Sequence, residues 1–219
     1  MAERKDFHMM MNRRSLGQLA AAAALAAALP ARAADEAPDA LIKRLSNDVL
    51  QAIRGDKSLQ NGDITKIIAL VDRTIMPHVN FRRMTAAAVG PGWRQATPEQ
   101  QQRLQEEFKT LLVRTYAGAL TQVNAQTSIA VKPLRAQPTD TDVPVRTEIQ
   151  GRGDPIQLDY RLEKTADGWK IYNLNVLGVW LVETYRNQFT QEINSKGVAG
   201  LIDSLAARNK ANAGNGGAK

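Results

Sequence analysis

The chain has 219 residues, with 29 Lys and Arg against 22 Asp and Glu, two His and no Cys; 43% of it is hydrophobic and 5% aromatic. That length suits one domain of ordinary size. The missing Cys excludes disulfide frameworks, thiolate metal sites and thiol nucleophiles, and two His are too few for a zinc centre built on imidazoles.

In chain order, a leader comes first. Met11-Asn12-Arg13-Arg14 precedes an Ala/Leu run from Leu19 to Leu29, and Pro30-Ala31-Arg32-Ala33 follows. Positive charge, a short apolar stretch and Ala-x-Ala make a secretory signal peptide over residues 1–33, cleaved after Ala33. The run falls short of the roughly 20 residues needed to span a bilayer. Arg13-Arg14 is only a partial twin-arginine signal, so the general secretory route is the expected one. Arg4, Lys5, Arg13, Arg14 and Arg32 leave with the leader, against Glu3 and Asp6, so much of the formal charge of +7 is not the mature protein's. No Lys/Arg-rich run of nucleic-acid type remains.

The mature chain, 34–208, reads as one domain. Leu41, Leu45, Val49 and Ile53 recur every four residues and predict a first helix, with Asp39 near its start and Gly55 at its end. Ile64, Ile67, Ile68, Val71 and Ile75 predict a second, closed by Pro77; Phe81 to Val89 predicts a short third, stopped by Gly90-Pro91-Gly92. Thr97-Pro98-Glu99-Gln100 supplies a capping box with Pro at the first helical position. The helix behind it carries Leu104, Phe108, Leu111, Leu112, Tyr116, Leu120 and Val123.

After Asn124 the period falls to two. Ile129 and Val131, then Val143 to Ile149, Ile156 to Leu162 and Trp169 to Val176 alternate with polar residues, as strands with one dry face do. On this alternation Asp159 and Glu163 fall on the wet face. Val182, Tyr185, Phe189 and Ile193 restore the helical period to Lys196-Gly197; Val198, Leu201, Ile202 and Leu205 form a last short helix, and Asn209 to Lys219 is expected to be disordered. The fold class is α+β: a twisted antiparallel sheet of about four strands with helices packed on one face, around what is either an apolar cavity or a filled core.

Chemistry is sparse. There is no Gly-x-Ser-x-Gly, phosphate-cradling loop or dinucleotide fingerprint. His78, the sole imidazole past the leader, reads either as a general base oriented by Asp72 or another Asp, or as a helix-end residue satisfied by backbone, with no nucleophile signposted beside it. Arg82-Arg83 reads either as a phosphate or partner contact or as a solvated pair.

Several blocks, taken in order, resemble the MlaC (toluene-tolerance) family of periplasmic phospholipid carriers. These are Val89-Gly90-Pro91-Gly92-Trp93-Arg94, Thr97 to Gln100, Phe108 through Tyr116 to Leu120, Val143-Pro144-Val145-Arg146, Leu158-Asp159-Tyr160, Gly168 to Tyr172, Gly178-Val179, Tyr185-Arg186, and Lys196-Gly197 with Gly200-Leu201-Ile202. They span about Leu41 to Leu205. The chain departs from the family pattern at Asn173, where Asp is usual, and at Leu177-Gly178-Val179-Trp180, which is more apolar than the usual Glu-Gly-Val-Ser.

The resemblance implies a carrier without covalent chemistry or cofactor. Its expected ligand is a phospholipid; its expected partners are an inner-membrane ABC transporter with an MCE-domain subunit and an outer-membrane lipoprotein complex, with only transient contact to membrane complexes. The expected lining is Val143, Val145, Ile156, Leu158, Tyr160, Leu174 and Val176 from strands, facing Val49, Ile68, Val71, Ile75, Phe81, Met84, Tyr116, Val182, Tyr185 and Phe189 from helices, about half of them packing behind the pocket. Arg82 and Arg83 are weaker candidates for headgroup or partner contact. Two other readings stand beside it: an exported enzyme using His78, and a non-lipid adaptor with a solid core.

Overall fold

The computed structural model describes residues 36–137, 139–151 and 153–215; the leader expected over 1–33 lies outside them. Helix α1 (Pro38–Gly55) starts with Pro in its first turn and Asp39 beside it, and α2 (Lys57–Gln60) is a single turn capped by Asp56. Asp63 caps α3 (Ile64–Leu70) through the Thr65 and Lys66 amides. The helix then widens into a π-turn (Val71–Ile75) and ends in a 3₁₀ turn (Met76–His78) that contains Pro77. Asn80 caps α4 (Phe81–Val89); α5 (Gly92–Gln95) is short, and α6 (Pro98–Leu120) carries the complete Thr97/Gln100 capping box.

Strands β1 (Ser128–Val131), β2 (Asp142–Gln150), β3 (Ile156–Thr165), β4 (Gly168–Val176) and β5 (Val179–Trp180) form one antiparallel sheet in that order. Helix α7 (Leu181–Asn215) is broken at Gly197, whose φ of 71° only glycine adopts freely, where the sequence places a helix end. The expected disordered tail from Asn209 is not observed as far as Asn215. Those residues are helical, and Asn209 is buried with its amide donating to the Glu107 carbonyl (2.9 Å) and carboxylate (2.7 Å).

A bulge in β4 decides which side chains face inward. Arg161 pairs with Asn173 but Leu162 pairs with Ile171, so Tyr172 is the extra residue. Before it Ile171 points to the helices; after it Leu174 and Val176 do. Tyr172 turns outward, its hydroxyl on Asp142 and its ring 3.5 Å from the Arg83 guanidinium carbon.

The outer face is not uniformly wet. Asp159, expected to be solvated, is buried and accepts from the Gln157 amide and the Thr147 N–H, because its neighbours close over it. Asn173 is buried too; its side-chain oxygen accepts from the Leu174 and Val182 N–H groups, and its amide donates to Glu183 (2.8 Å). A strand side chain thereby caps the start of α7. Asn173→Ala is expected to lower the unfolding free energy by about 1–2 kcal/mol, read as a lower urea midpoint at unchanged slope.

Candidate lipid-binding site

Three packed clusters surround a space that none of them fills. Leu41, Ile42 and Leu45 of α1 seal the half of the inner sheet face made by Val143, Val145, Leu162 and Ile171. Ile53, Leu59, Ile67 and Leu70 join α1 to α3. Phe108 of α6 anchors the third, with Tyr185 and Phe189 of α7 packed edge-on at 5.0 and 5.2 Å and Phe81 at 5.8 Å. Between them lies a cavity of about 740 Å³, bounded by the remaining half of the sheet and by α1, the π-turn, α4 and α6.

Of the expected lining, Val49, Val71, Ile75, Phe81, Met84, Tyr116, Ile156, Leu158, Tyr160, Leu174 and Val176 border this cavity. Val143 and Val145 do not; they are pinned under α1, in the solid part of the sheet face. Val182, Tyr185 and Phe189 pack behind α6, and Ile68 is half-buried on α3 outside the lining. Ile171 borders the cavity although strict alternation in β4 places it on the other face; the spacing of three between Ile171 and Leu174 is the sequence signal of the bulge. Leu112, Leu120 and Ile149 also border it and were legible as inner-face residues of their elements; Ile42 and Val113 border it too and were missed, each one position beside a residue of its helix's apolar stripe.

The polar lining residues are concentrated at one end. Gln122 and Asn124 after α6, and Gln150, Gly151 and Asp154 between β2 and β3, form a rim that is exposed except at half-buried Asn124. Ile156 at this rim is 42% exposed, and the β4–β5 turn beside it exposes Leu177 and Val179 by 66% and 50%. Leu177 sits at φ 52°, a left-handed conformation costly for a branched side chain. The cavity therefore opens at a polar edge flanked by exposed apolar side chains.

Tyr160 lies deep on the cavity wall. Burial pushes its hydroxyl up to about 12, against hydrogen bonds from Ser46 and Thr147 that pull it down. His78 is outside the lining; burial, then Arg44 and Lys170, hold it below the ordinary imidazole value, and Asp72, the one orienter named for it, instead pairs with Lys109. Arg83 is engaged by Glu163 and Asp142, and exposed Arg82 lies over Trp93 at 5.5 Å; neither borders the cavity. The described residues hold no cluster of His, Asp or Glu suited to a metal. Nor is any helix among them long and apolar enough to cross a membrane.

The comparisons agree with this geometry. A family model described as MlaC protein matches residues 43–207. The chain is 27% identical over 166 residues to the toluene tolerance protein ttg2D of Pseudomonas putida, covering 75% of this chain and 76% of that protein. It is 24% identical over 176 residues to the intermembrane phospholipid transport system binding protein MlaC of Haemophilus influenzae, covering 78% and 82%. A solved structure of a phospholipid-binding protein from Ralstonia solanacearum, in complex with a phospholipid, superposes with a TM-score of 0.78 at 48% identity, covering 82% of this chain and 99% of the other.

Two outcomes test the wall. Between pH 10 and 12 the unfolded chain ionises tyrosines that stay neutral when folded, so stability is full below pH 10 and falls as pH rises toward 12. Tyr160→Phe is expected to flatten that loss in alkaline urea melts. Leu162→Ala, in the solid half, is expected to cost about 2–5 kcal/mol, and Leu158→Ala, on the half-buried wall, distinctly less.

Proposed function

The chain belongs to the MlaC family, and from its cavity we propose that it is a periplasmic carrier that hides the acyl chains of a phospholipid while leaving the headgroup in water. The observation that carries this is the aliphatic hollow of about 740 Å³ opening at a polar rim. Each methylene withdrawn from water is worth about 0.8 kcal/mol, so a free phospholipid crosses an aqueous compartment extremely slowly. An apolar slot offsets that cost. The family is one of phospholipid-binding transport proteins and not of enzymes, in keeping with the absence of a signposted nucleophile in the sequence.

We infer further that the lining residues Val49, Val71, Ile75, Phe81, Met84, Tyr116, Ile156, Leu158, Tyr160, Leu174 and Val176 contact the chains. Export by a cleaved leader over residues 1–33, through the general secretory route, delivers the carrier to its compartment. There it exchanges lipid with an inner-membrane ABC transporter carrying an MCE-domain subunit and with an outer-membrane lipoprotein complex. Binding alone equilibrates lipid between such partners, so direction comes from their relative affinities and energy use. The adaptor reading required a filled interior, and the hollow disfavours it.

Native mass spectrometry of the mature protein is expected to show a co-purifying phospholipid mass. Leu158→Trp, which narrows the hollow from its sheet wall, is expected to reduce that mass several-fold without unfolding the protein by circular dichroism. A clean unliganded mass for the unaltered protein overturns the reading.

A further inference from the structure

On α6 the stripe facing the cavity is Lys109, Leu112, Val113, Tyr116, Ala117 and Leu120. It is aliphatic or aromatic from Leu112 onward, begins with a cation, and is preceded one turn earlier by Gln105 and Glu106. Among the described residues, Lys109 and Asp154 are the only charged side chains lining the hollow, and Asp154 belongs to the rim. Lys109 lies about 16 Å along the helix axis from Leu120, where the rim begins. Its Nζ donates to Asp72 Oδ1 at 2.7 Å, across the gap between α6 and the π-turn whose Val71 and Ile75 also line the hollow. The pair is not sealed: the two side chains are 28% and 45% exposed.

Resting on the carrier reading above, we propose that the Lys109–Asp72 pair is the far stop of the cavity and sets the longest acyl chain the protein accepts. A chain entering tail-first from the rim gains from every methylene laid against Leu112, Val113 and Tyr116. The next methylene meets an ammonium and a carboxylate that hold solvent, and displacing that water from charged groups costs more than burying a methylene returns. The headgroup belongs at the other end: the rim is polar and exposed, whereas the ammonium at Lys109 is already neutralised by a carboxylate that repels phosphate.

The stop is tested with the mature protein and vesicles of equimolar monounsaturated phosphatidylcholines of several acyl lengths, the lipids extracted being identified by mass spectrometry. The unaltered protein is expected to discriminate against the longest chains. Lys109→Met keeps the length of the side chain and removes its charge; it is expected to raise the ratio of longest to shortest lipid bound on the order of tenfold. Asp72→Asn, which loosens the pair but keeps the ammonium, is expected to raise it less, and Leu112→Trp to lower it. An unchanged ratio in folded Lys109→Met overturns the stop. Loss of lipids of every length from that folded variant also overturns it, since it places a headgroup contact at Lys109. Absence of any lipid from the unaltered protein instead overturns the carrier reading, and the stop with it.

Discussion

Protein interiors close-pack, and side chains around a void normally relax into it because unfilled apolar volume forfeits dispersion contacts. A domain that keeps a hollow must hold its walls apart. Here three separate cores do so: α1 against one half of the sheet, α1 against α3, and the Phe108-centred cluster joining α4, α6 and α7. Each is packed on its far side, so collapse of the hollow would require pulling one of them open. The cavity is the region where three sets of helix contacts fail to meet.

This arrangement divides the inner sheet face by function along its length. Val143, Val145 and Leu162 belong to the solid end and serve stability; Ile156, Leu158 and Val176 belong to the open end and border the space available to a ligand. Residues with the same pattern in sequence thus do different work according to whether α1 covers them. The polar groups follow the same division, with long-range anchors such as Asn173 on the outer face and, at the rim, the Gln122 and Asn124 side chains bonded only to near neighbours in the chain.

Local pattern carried much of the fold. The period of α1, the capping box of α6 and the alternation of β2 and β3 are all signals between neighbours in the chain, and each element stands where those signals place it. What escaped depends on partners far apart in sequence. Asp159 is buried by residues that alternation assigns to water, Asn209 is held by Glu107, and Asp72 meets Lys109 rather than His78. Ile171 was obscured by one inserted residue, Tyr172, that reverses inward and outward within a single strand. For the lining, the pattern identified inner faces but not which inner-face residues lie under a helix, since that is decided by where α1 and α7 cross them.

The break at Gly197 redirects the end of the chain. Beyond it, Leu201, Leu205 and Asn209 lie along the first half of α6, reaching Glu107, whereas the opening lies past Leu120, about 20 Å further along the same helix. A dye, affinity tag or surface tether fixed at exposed Lys210, beside Asn209, therefore starts well away from the entrance, which makes that stretch of the last helix the natural handle for watching molecules come and go without standing in their way.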